Sequence, residues 1–177
     1  MNIVITILLV VAGIIALVLV IAILSRKEYN VHSETTINAP IQKVFDYIKH
    51  IKNQDYYNKW VMTDPSMKKD FKGMDGTVGF IYGWNGNKRA GEGEQEIKSI
   101  VEGKRIDTEV RFVRPFAGIA YGSMKTEPVS GNQTRLYWSN TSKIRFPINF
   151  MISFMEKMLT KDMDASLAML KTILEKN

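Results

Sequence analysis

The chain has 177 residues, a formal net charge of +6 and no cysteine. One long apolar run near the N-terminus leaves about 150 residues, enough for one domain with a real core and too few for two. The basic balance comes without the interleaved arginines and aromatics of a nucleic-acid module, which excludes nucleic acid as the expected partner, while the lack of cysteine decides nothing about compartment.

Residues Ile3 to Leu24 form a charge-free run of 22 positions, 17 of them Ile, Leu or Val. As a helix at about 1.5 Å per residue the run reaches roughly 33 Å, enough to cross a hydrocarbon core of about 30 Å. β-branched residues are poor helix formers in water, but in lipid the backbone must satisfy itself and helix wins. A cleaved signal peptide would need a basic start and a shorter apolar stretch. Here the start is Met1-Asn2, and Ser25-Arg26-Lys27 is a poor cleavage exit. A buried soluble helix would show a polar stripe, and none exists. Residues 1–25 are therefore expected to be a transmembrane anchor and residues 26–177 a domain close to the bilayer. Arg26 and Lys27 follow the run, so the positive-inside rule makes this a single-pass membrane protein with a cytoplasmic C-terminal domain.

Beyond the anchor, alternation and turn signals predict a strand over Tyr29 to Ile37 and a helix opened by Pro40, with Ile41, Val44, Phe45 and Ile48 on one face. A second short helix is expected around Tyr56, Tyr57 and Trp60. Period-two alternation from Thr77 to Trp84 predicts a strand, Asn85-Gly86-Asn87 a turn, and Arg89 to Val101 the returning strand. In the next strand Ile106, Thr108, Val110 and Phe112 share one face and Arg105, Asp107, Glu109 and Arg111 the other, as in a sheet with one wet side. Two more strands, near Ile119 to Glu127 and Gln133 to Lys143, precede a long amphipathic helix from Pro147 to about Glu175. The economical packing of this order is an α+β domain whose curved antiparallel sheet wraps the last helix.

That order, together with Thr36-Ile-Asn-Ala-Pro-Ile-Gln-Lys-Val-Phe-Asp-Tyr-Ile48, Trp60, Asp64-Pro65, Gly76-Thr-Val-Gly-Phe-Ile-Tyr-Gly-Trp-Asn-Gly-Asn87 and Gly91-Glu-Gly93, resembles the START-like or helix-grip superfamily. Within it the chain is similar to the polyketide cyclase/dehydrase and lipid-transport family, from about Glu28 to the C-terminus. The resemblance implies an internal cavity between the curved sheet and the C-terminal helix, holding an apolar or lipid-like small molecule. It implies no universal catalytic residues.

Large aromatics and missing side chains on one sheet face fit such a cavity, with plain core as the competing reading. The expected ligand pocket takes Val78, Phe80, Tyr82, Trp84 and Gly93 from the first strands. Ile106, Val110, Phe112 and Trp138 come from the later ones, and Met151, Met155 and Leu159 from the last helix. Methionine adapts to irregular apolar sites, which singles out the methionine-rich start of that helix. His32 and His50 lack metal-ligand partners at suitable spacing. Glu92, Glu94 and Glu96 beside Lys98 read as a solvated strand face. No Walker loop, nucleotide fingerprint, zinc motif or nucleophile elbow occurs, so no catalytic residue, metal or cofactor is expected. Lys43, Lys49, Lys52, Lys59, Lys68, Lys69 and Lys72 suggest attraction to anionic lipid headgroups, against a dispersed solvated surface. Membrane-tethered ligand binding is the leading expectation. An enzyme of cyclase or hydrolase type and a protein-interaction module stay open beside it.

Overall fold

The structure, a computed structural model, describes residues 2–176. It opens with α1 (Ile3–Leu24), a helix long and apolar enough to cross a membrane. The Asn2 side chain caps it by accepting from the Val4 amide. Its residues are exposed save half-buried Thr6 and Val18 and buried Ala22, the last at the point where the helix meets the domain.

After three connecting residues β1 (Glu28–Ile37) begins, followed by α2 (Ile41–Lys49) and two 3-10 turns, Ile51–Tyr56 and Val61–Thr63. The remaining strands are β2 (Lys68–Lys72), β3 (Ile81–Asn85), β4 (Glu92–Val101), β5 (Arg105–Arg114), β6 (Gly118–Ser130) and β7 (Gln133–Lys143). They form one antiparallel sheet in the order β1-β7-β6-β5-β4-β3-β2. A 3-10 turn at Ile148–Met151 leads into α3 (Ile152–Glu175), which packs along β1 inside the curve of the sheet. The helix-grip architecture is thus present.

Alternation decides which sheet residues face inward. Tyr29, Val31 and Ser33 of β1 meet Ser142, Asn140 and Trp138 of β7 in register, all on the concave side. The outer face is wet: Arg111 bonds Glu94, Glu96 and Glu109 at 2.7, 2.7 and 2.5 Å, an ion cluster that accounts for the row of glutamates.

One expected element fails for a physical reason, and one strand carries no signal to announce it. The segment Thr77 to Phe80 is not strand, because Gly76 and Gly79 take φ of 82° and 87°, a left-handed conformation open to glycine, and bend the chain. Val78 consequently points out, 60% exposed, while Phe80 turns into the core and stacks on Phe71. The edge strand β2, Lys-Lys-Asp-Phe-Lys, is exposed throughout and carries no apolar alternation to announce it.

The core fills one end of the grip. There Ile37 and Leu136 of the sheet, Val44, Phe45 and Ile48 of α2, and Leu167 and Leu170 of α3 interlock, none more than 2% exposed. At the other end, where α1 joins, the sheet and α3 stand apart.

Candidate functional site

Between sheet and helix at that end lies a cavity of about 260 Å³. Its sheet wall is built from Tyr29, Tyr82, Trp84, Gln95, Thr108, Val110, Phe112, Gly122, Trp138 and Asn140, and its helix side from Leu159. The 3-10 turns and adjoining loops close it with Gln54, Asn58, Trp60, Val61, Met67 and Ala90. Trp60 meets Trp138 edge to face at 5.5 Å between ring centroids, and Trp84 meets Phe112 the same way at 6.0 Å. Both are favoured aromatic geometries.

The polar atoms of these rings are tied laterally into the wall. Trp84 Nε1 donates to the Ala90 carbonyl at 3.1 Å and Trp60 Nε1 to Asp162 at 3.2 Å. Tyr29 donates to Asn140 Oδ1 at 2.8 Å and Tyr82 to Asp55 at 2.6 Å. Asn58 donates to Gln54 and Gln95 to Thr108. Gly122 supplies floor space, since a Cβ there would lie 2.8 Å from the Thr108 hydroxyl.

No Asp, Glu, Lys, Arg or His lines the cavity among the described residues. Its titratable groups are two phenols. Burial pushes Tyr29 up to about 12, and burial together with the hydrogen bond to Asp55 raises Tyr82 as well. Both stay protonated at neutral pH.

Of the residues expected to line a pocket, Tyr82, Trp84, Val110, Phe112, Trp138 and Leu159 come together on this wall. The others lie elsewhere. Val78 and Phe80 are displaced by the bend at Gly76 and Gly79. Gly93 sits under the Trp84 ring: a Cβ would stand 2.7 Å from the indole and 2.5 Å from the Arg111 carbonyl oxygen. Its missing side chain makes room for tryptophan, not for a ligand. Ile106 borders a second void of about 20 Å³ beyond Trp138, room for a single water. Met155 is half-buried against the core, and Met151 is exposed at the outer edge of the helix.

The sequence reading did not assign to the wall Tyr29, Trp60, Val61, Met67 and Ala90, nor the amides, Thr108 and Gly122. Gln95, Thr108 and Asn140 share strand parity with Gly93, Val110 and Trp138, so alternation placed them inward, and only a search restricted to apolar residues passed them over. Gln54 and Asn58 stand on irregular turns that carry no period. Lys49 pairs with Glu102 in the β4–β5 turn, at the end of the sheet away from α1, and Lys59 and Lys69 pair with Asp162 and Asp55. The basic side chains next to the exit of α1 are instead Arg26, Lys27, Lys143 and Arg145.

Solved structures share this architecture. Norcoclaurine synthase from Thalictrum flavum, solved with dopamine and hydroxybenzaldehyde, is 13% identical with a TM-score of 0.66, covering 89% of this chain and 92% of its own. The Aha1 dimer from Colwellia psychrerythraea is 19% identical with a TM-score of 0.58 over 83% and 96%. A protein from Nitrosospira multiformis is 20% identical with a TM-score of 0.56 over 81% and 94%. At such identities the likeness is one of fold. Among curated proteins none matches the chain in sequence. The sequence pattern of one family does, over residues 29–175, nearly all of the folded domain. The chain therefore belongs to the polyketide cyclase / dehydrase and lipid transport family.

Proposed function

We propose that this chain is a single-pass membrane protein whose helix-grip domain, residues 26–177, holds one small apolar or amphipathic molecule beside the bilayer. The observation that carries the reading is the cavity wall: aromatic, edged with amides, and uncharged among the described residues. Moving an ion into such surroundings costs several kcal/mol, so the wall selects neutral molecules. Its few amide and hydroxyl groups orient a ligand through one or two hydrogen bonds, as in most small-molecule sites. The volume exceeds the roughly 150 Å³ that admits benzene and falls near the lower end of ligand pockets, about 300–1,000 Å³. A ring system or one short chain suits it better than a two-chain lipid. Norcoclaurine synthase, with the same fold, holds two small aromatic molecules. With both wall phenols protonated at neutral pH, binding is better supported than acid–base chemistry of a cyclase or hydrolase kind.

The length, apolar composition and predominant exposure of α1 support spanning. Arg26 and Lys27, directly after the helix, support a cytoplasmic domain, and together with Lys143 and Arg145 beside them they support contact with anionic headgroups at about 1 kcal/mol per well-placed side chain. A C-terminal reporter active only outside the cytoplasm should stay silent; strong activity would reverse the orientation.

Native mass spectrometry of the full chain, released from mild detergent after incubation with a neutral aromatic such as naphthol, tests the binding reading. One molecule should add per chain, and the Gly122→Leu variant should add none. Equal uptake by both proteins, or by neither, would contradict it.

A further inference from the structure

The end of the domain that holds the cavity also exposes much apolar surface. Phe116 is 70% exposed, Phe154 63% and Phe146 51%, and Phe150, Met151 and Met158 are exposed as well. A patch of this kind needs a partner. The exit of α1 says what that partner is.

The last carbonyls of a helix lack intrahelical donors. Asn149, fully buried, supplies one: its Nδ2 donates to the carbonyl of Ala22 at 2.6 Å and lies within 3.3 Å of the carbonyls of Ser25 and Arg26, just past the helix. Ala22 stands two residues before the end of the apolar helix, about 3 Å along its axis. The backbone around Asn149 is thereby held within one short side chain of the level at which α1 leaves hydrocarbon. Phe150 and Met151 adjoin it directly. Met151, Phe154 and Met158 follow at spacings of three and four and share one helix face. On the sheet, the Ile144 amide donates to the Lys27 carbonyl at 2.8 Å, which keeps Phe146 close to the same exit. The β6–β7 register, Ala120 with Ser142, brings the Phe116 turn to that end too. Exposed Arg26, Lys27, Lys143, Arg145 and Lys157 are interspersed among these side chains, the aromatic and basic mixture of surfaces that lie at a lipid interface.

We propose that Phe116, Phe146, Phe150, Met151, Phe154 and Met158 form an apolar collar seated in the interface of the bilayer that α1 spans, which sets the mouth of the cavity at headgroup depth. This rests on the reading of α1 as membrane-spanning. Collar and mouth are continuous on two elements. Met151, Met155, Met158 and Asp162 share a helix face, and Asp162 accepts from the wall residue Trp60. Phe112, 40% exposed at the rim, precedes Phe116 by one short turn.

The chain has no cysteine, so single cysteines report cleanly. Ile14→Cys, Phe116→Cys, Phe154→Cys and, at the far end of the sheet, Lys104→Cys would each carry an environment-sensitive fluorophore in the full chain, reconstituted in vesicles of phosphatidylcholine with 20 mol% phosphatidylserine. Lipids bearing nitroxides at shallow or deep positions then report depth. The label at residue 14 should be quenched most by deep nitroxides, those at 116 and 154 by shallow ones with blue-shifted emission, and that at 104 by neither. Deep quenching at 14 with water-like, unquenched emission at 116 and 154 overturns the collar and leaves the anchor standing. Water-like emission at 14 overturns the spanning helix and the collar with it.

Discussion

The two ends of the grip share one sheet and one helix, yet one is solid and the other hollow. At the solid end α2 lies across the sheet, and Val44, Phe45 and Ile48 cluster with Leu167 and Leu170, while buried Thr134 bonds the Ala39 carbonyl. At the hollow end irregular 3-10 turns replace the helix, and the large side chains are Tyr29, Trp60, Tyr82, Trp84 and Trp138. Four of these five are pinned sideways by a hydrogen bond to Asn140, Asp162, Asp55 or the Ala90 carbonyl. A ring held by its polar atom cannot swing inward to fill space without leaving a buried donor unpaired, which costs about 1–3 kcal/mol. The difference teaches that the cavity is kept open by tied aromatics, and that stability resides mainly in the other half.

Truncation of matched leucines on α3 tests that division most strongly. Leu170→Ala, in the solid end, should cost about 2–5 kcal/mol in denaturant unfolding of the full chain in mild detergent. Leu159→Ala, on the cavity wall, should cost about 1 kcal/mol, because one side of that leucine already faces a void. Equal losses would mean the cavity end is packed like the core.

Alkaline pH gives the next largest effect. Tyr29 holds its proton more tightly folded, at about 12, than at its ordinary value of 10.0. Its contribution to stability, about 2–3 kcal/mol, is full below pH 10 and is lost as pH rises through 12. Tyr29→Phe should flatten that alkaline loss. Ligand affinity should stay level from pH 5 to about 9, since among the described residues the wall titrates only at these phenols; a bell-shaped profile would point to acid–base chemistry instead.

Two glycines separate space from support with smaller changes in stability. Gly93→Leu must displace the Trp84 ring and press on the Arg111 carbonyl, an overpacking that costs about 1–3 kcal/mol. A Cβ at Gly122 meets only the Thr108 hydroxyl, so Gly122→Leu should cost less than Gly93→Leu while lowering ligand affinity at least tenfold. Melting and binding curves of both variants check the contrast.

Periodicity made most of the fold legible. Alternation in Ile106 to Phe112 and the stripe from Ile152 to Leu174 exist because burial on one face selects apolar residues at fixed intervals. The edge strand Lys68–Lys72 escaped because an exposed edge imposes no such selection. Half of the expected pocket residues reached the wall. Phe80 did not, since positive φ at Gly79 breaks a register that the letters alone continue unbroken. Gln54 and Asn58 were passed over because irregular turns carry no period, and Asn140, which alternation does turn inward, because the search kept to apolar residues.

All three tryptophans of the chain, Trp60, Trp84 and Trp138, line the cavity, so intrinsic emission is a direct probe of its contents. The full chain should be titrated with 4-bromophenol, a heavy-atom quencher that is neutral well below its phenol pKa, alongside the Gly122→Leu variant under the same conditions. A neutral cavity that takes one small molecule predicts saturable quenching in the parent and only shallow, linear quenching in the variant. Linear quenching of equal slope in both proteins would contradict a ligand site.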